Sequence, residues 1–310
     1  MNLTSPTQVK AWCIENGFHP NKTLGQNFLI DQNALKAIVD AGLEKVGSSK
    51  EEVVSSKEEV GSSKEEVGSE EVNILEIGPG MGVLTEEMLK RGCKVTAIEK
   101  DPVLAERLGK VKSKGEKGKS EEGGNDEPWW SNLTLITGDA LDVLARPSTF
   151  NLQPSTFSCM ISNLPYQAGT RILLELVQRR EIPVMTALVQ TEVAERLAAK
   201  EGSKTRGLAG VWAQLDYDVE IARKVSASCF WPRPEIGSSV VRLVRHDRNA
   251  ALSAEERDIF HRLTKKAFEH RRKQLGSIFR DMIQSTARAE ELSNQDWINL
   301  TKGLMQNEDA

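Results

Sequence analysis

The feature that most constrains this chain is a glycine-rich turn, Gly78-Pro79-Gly80-Met81-Gly82. It sits between an apolar run (NILEIG, 73–78) and a run with helical spacing (VLTEEMLKRG, 83–92) that closes on Gly92. Glycines at such a turn permit unusual backbone angles and let a ligand approach the main chain closely. The helix that follows offers unpaired N–H groups at its start. A glycine turn taken singly is weak evidence, but strand, glycine turn and helix in this order mark a nucleotide-type site.

Further along, KVTAIE (94–99), LTLITGD (133–139), SCMISNLP (158–165) and VMTALVQ (184–190) read as strands. Helices are expected from Asp101-Pro102 onward, over 169–178 and over 191–199. Such alternation, with apolar strands, implies an α/β doubly wound sheet. DVEIARKV (218–225) and SSVVRLVRH (238–246) have no helix between them and predict an antiparallel pair at one sheet edge. Beyond His246 the pattern is helical, with Ile259, Leu263, Phe268, Leu275 and Ile278 near helical spacing within 254–283. The expected division is therefore an α/β domain over 1–247 and a small helical domain over 248–310.

Three stretches break the pattern. Residues 47–71 repeat SSKEEV with valine as the only apolar residue per repeat, too few for a coiled-coil seam and too polar to offset chain entropy. Residues 109–128 are rich in Gly, Lys and Glu, and 147–158 carry the duplication PSTFNLQ-PSTFS. All three are expected as surface loops, the first two as disordered insertions. They matter for the charge. The chain totals −4, which argues against a polyanion binder, but 47–71 hold three lysines and eight glutamates, a net −5. Positive charge instead concentrates at 261–280, with seven Lys/Arg against Glu269 alone.

No apolar run is long enough to span a membrane, and the N-terminus shows neither a secretory nor a transit pattern. Cys13, Cys93, Cys159 and Cys229 lie far apart, so core thiols in a reducing compartment are expected rather than a disulfide or metal framework. A cytoplasmic location and no metal follow as expectations.

The chemistry resides at the strand ends. Glu99 ends the second strand, where a carboxylate can accept hydrogen bonds from both ribose hydroxyls of an adenosine-containing ligand. The alternative is a solvated charge. Asp139 ends the third strand, where it can meet an adenine amino group or simply cap the next turn. These features fit NAD or S-adenosylmethionine, with the GxGxG spacing leaning to the methyl donor. The fourth strand decides between them. It ends in Asn163-Leu164-Pro165-Tyr166. An exocyclic base nitrogen is a poor nucleophile because its lone pair is delocalised into the ring. The Asn163 amide oxygen and the Leu164 carbonyl can accept its two protons and favour a pyramidal nitrogen aimed at a methyl group. Pro165 stiffens the turn. Tyr166 offers a ring face to an unstacked base. Phe230, in Phe230-Trp231-Pro232-Arg233-Pro234, is either a second stacking face or a core aromatic.

In order, the chain holds GQNFL, EIGPGMGVLT, VTAIEKD, GDA, SNLPY, LVQTEVAERLAA, FWPRPEIGSSVVRL and AFEHRRKQL. Together these resemble the KsgA-type small-subunit ribosomal RNA adenine dimethyltransferases, over nearly the whole chain outside the low-complexity stretches. The resemblance implies a Rossmann-like, mostly parallel S-adenosylmethionine-dependent methyltransferase sheet with a small helical C-terminal domain. It also implies dimethylation of two adjacent adenosines near the 3′ end of small-subunit rRNA, within an immature subunit and by a monomer. Gln26, Asn27, Leu29, Gly78, Gly80, Glu99, Asp139, Ala140 and Asn163 are the implied donor-binding residues. Asn163, Leu164, Pro165, Tyr166 and Phe230 form the implied catalytic set. Arg262, Lys265, Lys266, Arg271, Arg272 and Lys273 are expected to contact RNA phosphates. Large-subunit adenine methyltransferases share the first domain and are the nearest alternative, although AFEHRRKQL and PRPEIGSSVVRL favour the small-subunit enzyme. A non-enzymatic assembly or transcription factor on the same fold is the other.

Overall fold

A computed structural model describes residues 1–21, 25–44, 71–117, 129–280 and 282–308. The chain starts with α1 (Pro6–Glu15), β1 (Phe28–Leu29) and α2 (Gln32–Leu43). Then come β2 (Asn73–Ile77), α3 (Val83–Lys90), β3 (Lys94–Glu99), α4 (Pro102–Lys117), β4 (Leu133–Thr137), α5 (Ala140–Ala145), β5 (Cys159–Asn163), α6 (Gly169–Arg179), β6 (Val184–Gln190) and α7 (Thr191–Ala198). Next are α8 (Leu208–Asp216), β7 (Tyr217–Val225), β8 (Phe230–Trp231) and β9 (Ser238–Arg245), and finally α9 (Ala254–Glu269), α10 (Leu275–Phe279) and α11 (Asn294–Glu308).

Seven strands form one sheet in the order β4-β3-β2-β5-β6-β9-β7, parallel from β4 to β6. The expected antiparallel pair is present, with β9 running against both β6 and the edge strand β7. Successive side chains of a strand point to opposite faces. Accordingly Leu75, Met160, Ala187 and Val241 pack against α5, α6, α7 and α8, while Ile74, Ile161, Leu188 and Val240 pack against α2 and α3. Both faces are covered, which is why these strands read as continuous apolar runs. Strand order reverses direction at β2, with β3 on one side and β5 on the other. A crevice opens at such a switch point, at the carboxyl ends of the strands.

Three expectations need correction. Residues 109–117 are not loop but the second half of α4, where Val111 packs on the core beneath and the Lys112 ammonium reaches the Leu133 carbonyl at 2.8 Å. The rest of that insertion and all of 47–71 except Glu71 lie outside the described residues. The duplication at 147–158 folds as two 3-10 turns, Pro147–Phe150 and Pro154–Thr156, and the apolar residues that follow each, Leu152 and Phe157, are buried. The helical pattern of 254–283 is split. It breaks at His270, and α9 and α10 bury Phe260, Leu263, Ala267, Leu275 and Phe279 rather than one continuous stripe.

The helical core does not begin at residue 248. Val211 and Leu215 of α8 belong to it, together with Trp297 and Ile298 of α11. The next residue after Leu215 joins the two layers electrostatically. Asp216, 3% exposed, accepts from the Arg257 guanidinium at 2.7 and 3.1 Å and lies 3.2 Å from Arg180 Nε of the α6 C-terminus. A second tie runs through buried Arg206, which donates to the Ala199 carbonyl at 2.9 Å and to Asn294 of α11 at 2.7 Å. Removing one partner of a buried ion pair leaves the other charge uncompensated. Asp216→Ala should therefore lower unfolding free energy by about 3–5 kcal/mol, read from urea denaturation. A loss below about 1 kcal/mol, the level of a surface pair, would mean that Asp216 does not tie the helical layer to the sheet.

Candidate active site

One cleft of about 210 Å³ lies at the carboxyl ends of β2, β3 and β5. It brings together every expected donor-binding residue and the whole Asn163–Tyr166 turn. The N-terminal segment forms its roof. Gly25 has φ of +65°, and a Cβ there would lie 2.9 Å from the Tyr166 backbone nitrogen, so only glycine lets this segment sit on the Asn163–Tyr166 turn. Gln26 is held by its side-chain amide, which donates to Asp101 at 2.8 Å. The Asn163 side chain donates through Nδ2 to the Asn27 carbonyl at 3.1 Å. A carbonyl can only accept, so this contact fixes which end of the Asn163 amide is oxygen and turns Oδ1 away from the roof. Leu29, 1% exposed, is buried where β1 pairs with β8.

The floor is the glycine turn. Gly78 has φ of +68°, and a Cβ there would point toward Pro165 Cδ, 3.6 Å away, filling the gap between the turn and the β5 end. Glu99 is 6% exposed and accepts from the Gly80 and Asp101 backbone N–H groups at 2.9 and 2.8 Å. Burial pushes its carboxyl above the usual range, and those N–H bonds act in the opposite direction. Asp139 does cap α5, accepting from Leu141 N–H at 2.9 Å, and also binds the Lys100 ammonium at 2.7 Å. That hydrogen bond from Lys100 pulls the Asp139 carboxyl below its ordinary value. Ala140, buried, opens α5 directly beside it.

The Asn163–Tyr166 turn is fixed at both ends. Leu164 N–H donates to the Leu188 carbonyl at 3.1 Å, and Gly169 N–H donates to the Pro165 carbonyl at 2.7 Å. The Tyr166 hydroxyl pairs with Ser238 Oγ at 2.7 Å, which anchors the ring, and burial raises its pKa. Phe230 is a correction. It is 2% exposed, packed in the core with Leu29 and Leu188, and absent from the cleft. Its register opposite Leu29 turns the ring inward, and Trp231 stacks on Phe28 instead, 6.5 Å between centroids.

The basic run lies apart from the cleft and is not one helix face. Arg262 pairs with Asp258 at 2.9 Å on α9. Arg271, Arg272 and Lys273 follow the break at His270. Arg271 donates to the Lys204 carbonyl and sits 3.6 Å from Glu290, which makes it a structural tie. Lys266 lies over the Phe279 ring at 5.4 Å, while Lys265, Arg272 and Lys273 are exposed.

Two cleft residues escaped sequence reasoning. Lys100 gave no signal beyond its place after Glu99. Glu76 gave a clear one, a lone carboxylate inside an otherwise apolar strand. It is 1% exposed, accepts from Thr85 Oγ1 at 2.6 Å, and burial pushes its pKa up to about 8 against that hydrogen bond, with Glu99 adding to the rise. No group of His, Cys, Asp and Glu that could hold a metal exists among the described residues.

A glycine cradle, a carboxylate at the β3 end, a second at the β4 end and an amide at the β5 end define a Rossmann-like methyltransferase site. The model of the ribosomal RNA adenine dimethylase family matches residues 17–304. The protein called Ribosomal RNA small subunit methyltransferase A in Deinococcus radiodurans is 36% identical over 247 residues, covering 78% of this chain and 67% of its own. Its namesake in Ligilactobacillus salivarius is 31% identical and covers 98% of this chain and 96% of its own. Among solved structures, a dimethyladenosine transferase from Plasmodium falciparum has a TM-score of 0.63 at 20% identity, covering 91% of this chain and 97% of its own, a likeness of fold. This chain belongs to the ribosomal RNA adenine dimethylase family.

The Glu76 proton sets a pH dependence. The folded group holds it to about pH 8, whereas an unfolded glutamate releases it near 4.5. Between those values the folded state binds more protons, so ligand-free stability is full below the lower value and falls as pH rises through the upper one. Glu76→Gln should flatten the decline in Tm between about pH 5 and 8, leaving the smaller part due to Glu99. An unchanged slope would place the ionisation elsewhere.

Proposed function

We infer that this chain uses S-adenosylmethionine to dimethylate the exocyclic amine of two adjacent adenosines near the 3′ end of small-subunit rRNA. The observation that carries the reading is the convergence of Glu99, Asp139 and Asn163 on one cleft, with the Asn163 amide already oriented by Asn27. The donor set suits the ligand. A Cβ at Gly78 would fill the space beside Pro165, and the buried carboxylates suit a cationic, hydroxyl-bearing molecule.

Gly78 would lie against the methionine part, Glu99 would accept from the ribose hydroxyls and Asp139 from the adenine amine, with Gln26, Asn27 and Leu29 closing the roof. When bound, S-adenosylmethionine would supply an activated methyl group on a sulfonium, with sulfur as the leaving group keeping the C–S electron pair. Asn163 Oδ1 and the Leu164 carbonyl accept the N–H protons of the target amine and aim its lone pair at that methyl. The nitrogen then loses one proton to solvent. After the first transfer one N–H remains, and one acceptor still orients it for the second. Tyr166, its hydroxyl tied to Ser238, gives the extruded base a fixed stacking face.

The helical part over 248–310 lies beside the catalytic domain of 1–247 and holds rRNA by its phosphates through Lys265, Lys266, Arg272 and Lys273, with Arg262 once released from Asp258. The substrate is rRNA within an immature small subunit in the cytoplasm, and the enzyme acts as a monomer. Among the described residues no helix is long and apolar enough to cross a membrane.

Incubation with methyl-labelled S-adenosylmethionine and isolated immature small, mature small or large subunits tests this reading. Label is expected on adenosines of immature small subunits. Label confined to large subunits would make the chain a large-subunit enzyme, and none anywhere would favour a non-enzymatic role. Joint replacement of Lys265, Arg272 and Lys273 by Glu should weaken rRNA binding and reduce its salt slope by about one for each phosphate no longer neutralised. An unchanged slope would remove these residues from the RNA surface.

A further inference from the structure

We propose that Glu76 matches the charge of the donor site to its ligand. Its carboxylate is ionised when the sulfonium donor is bound, and it takes up a proton when the demethylated product occupies the cleft. The proposal rests on the cleft being the S-adenosylmethionine site.

Glu76 lines the cleft from the end of β2, two residues before the glycine turn, between Leu75 and Ile77, which are 0% and 1% exposed. A carboxylate at this place is costly, because water is excluded and the surrounding strands are apolar. From α3 it receives the Thr85 hydroxyl, at 2.6 Å, and the Thr85 backbone N–H, both neutral donors. From β3 it faces Glu99, a second buried carboxylate of the same sign. The cations that line or border this region are engaged elsewhere. Lys100 binds Asp139, and Arg107 donates to the Met81 carbonyl and lies over the Trp12 ring. Among the described residues no Lys or Arg pairs with Glu76.

Two buried carboxylates without a protein cation cannot both ionise at low cost, so one holds a proton in the empty cleft. A cationic ligand removes that restriction. The donor carries one positive charge more than its demethylated product, so it stabilises the ionised Glu76 and the product does not. Donor binding therefore releases a proton near neutral pH, and product binding leaves the proton in place. The consequence is selectivity for donor over product that grows with pH until Glu76 is ionised in the empty cleft as well.

The test is titration calorimetry on the full chain with S-adenosylmethionine and with S-adenosylhomocysteine, in buffers of different ionisation enthalpy, at about pH 6.5 and 8.5. Donor binding should release close to one proton at the lower pH, product binding close to none, and the donor-to-product affinity ratio should rise about tenfold or more over that range. Glu76→Gln keeps an acceptor for Thr85 and mimics the protonated form. Any linkage remaining in that variant belongs to the ligand's own ammonium group and serves as the baseline, so the rise in ratio above it should vanish. If the variant does not fold, infrared difference spectra of the wild type decide. A protonated-carboxyl band should disappear with donor and persist with product. Equal proton release for both ligands, a variant that titrates like the wild type, or a band insensitive to ligand would overturn the proposal while leaving the donor site intact. Binding of neither ligand would refute the donor site itself, and this proposal with it.

Discussion

The structure around the cleft depends on one hydrogen bond, from the Asn163 side-chain amide to the Asn27 carbonyl at 3.1 Å. It joins two segments that are 136 residues apart in sequence, the N-terminal roof and the β5 turn. Because a carbonyl only accepts, the bond orients the Asn163 oxygen before any substrate arrives. The roof can approach this closely because Gly25 has no side chain where the Tyr166 nitrogen lies. Packing of Phe28 with Phe18 and Trp231 holds the roof segment against the rest of the domain.

Charge organises the same cleft in depth. At the solvent side Asp139 is paired with Lys100 and held below its ordinary pKa. Deeper in, Glu99 has backbone N–H partners, and Glu76 has the Thr85 hydroxyl and N–H. The cation partner stays at the solvent side with Asp139, and Glu76, the most buried of the three, is the carboxylate we propose responds to a ligand. The net charge of −4 says little about this surface, since the acidic repeat outside the described residues accounts for it.

Much of this was legible in the sequence because strand ends and glycine turns are local features. The doubly wound sheet, the antiparallel edge and the placing of Gly78, Glu99, Asp139 and Asn163 at strand ends follow from alternation and chain order. What failed depended on facing and on distant partners. Phe230 was ambiguous because side-chain facing in a two-residue strand is set by its pairing with Leu29, which spacing does not reveal. Residues 109–117 read as low complexity, yet Val111 and Lys112 find partners on the sheet edge that turn them into helix. Arg271 to Lys273 were all expected to contact phosphates, but Arg271 is committed to Lys204 and Glu290. The role of α8 in both cores is invisible in sequence, because a helix apolar on two sides shows no single stripe. Glu76 was legible and overlooked, since a charge in a buried strand always requires a reason.

The central claim is that Asn163 works only when its amide is held from behind by Asn27. Asn163→Asp tests this directly, because aspartate has the same shape and keeps an acceptor for the target amine but cannot donate to a carbonyl. Single-turnover methyl transfer to small-subunit rRNA at saturating donor should fall about 10²-fold or more. A rate near that of the unmodified chain would contradict the account, since acceptance alone would then suffice for catalysis.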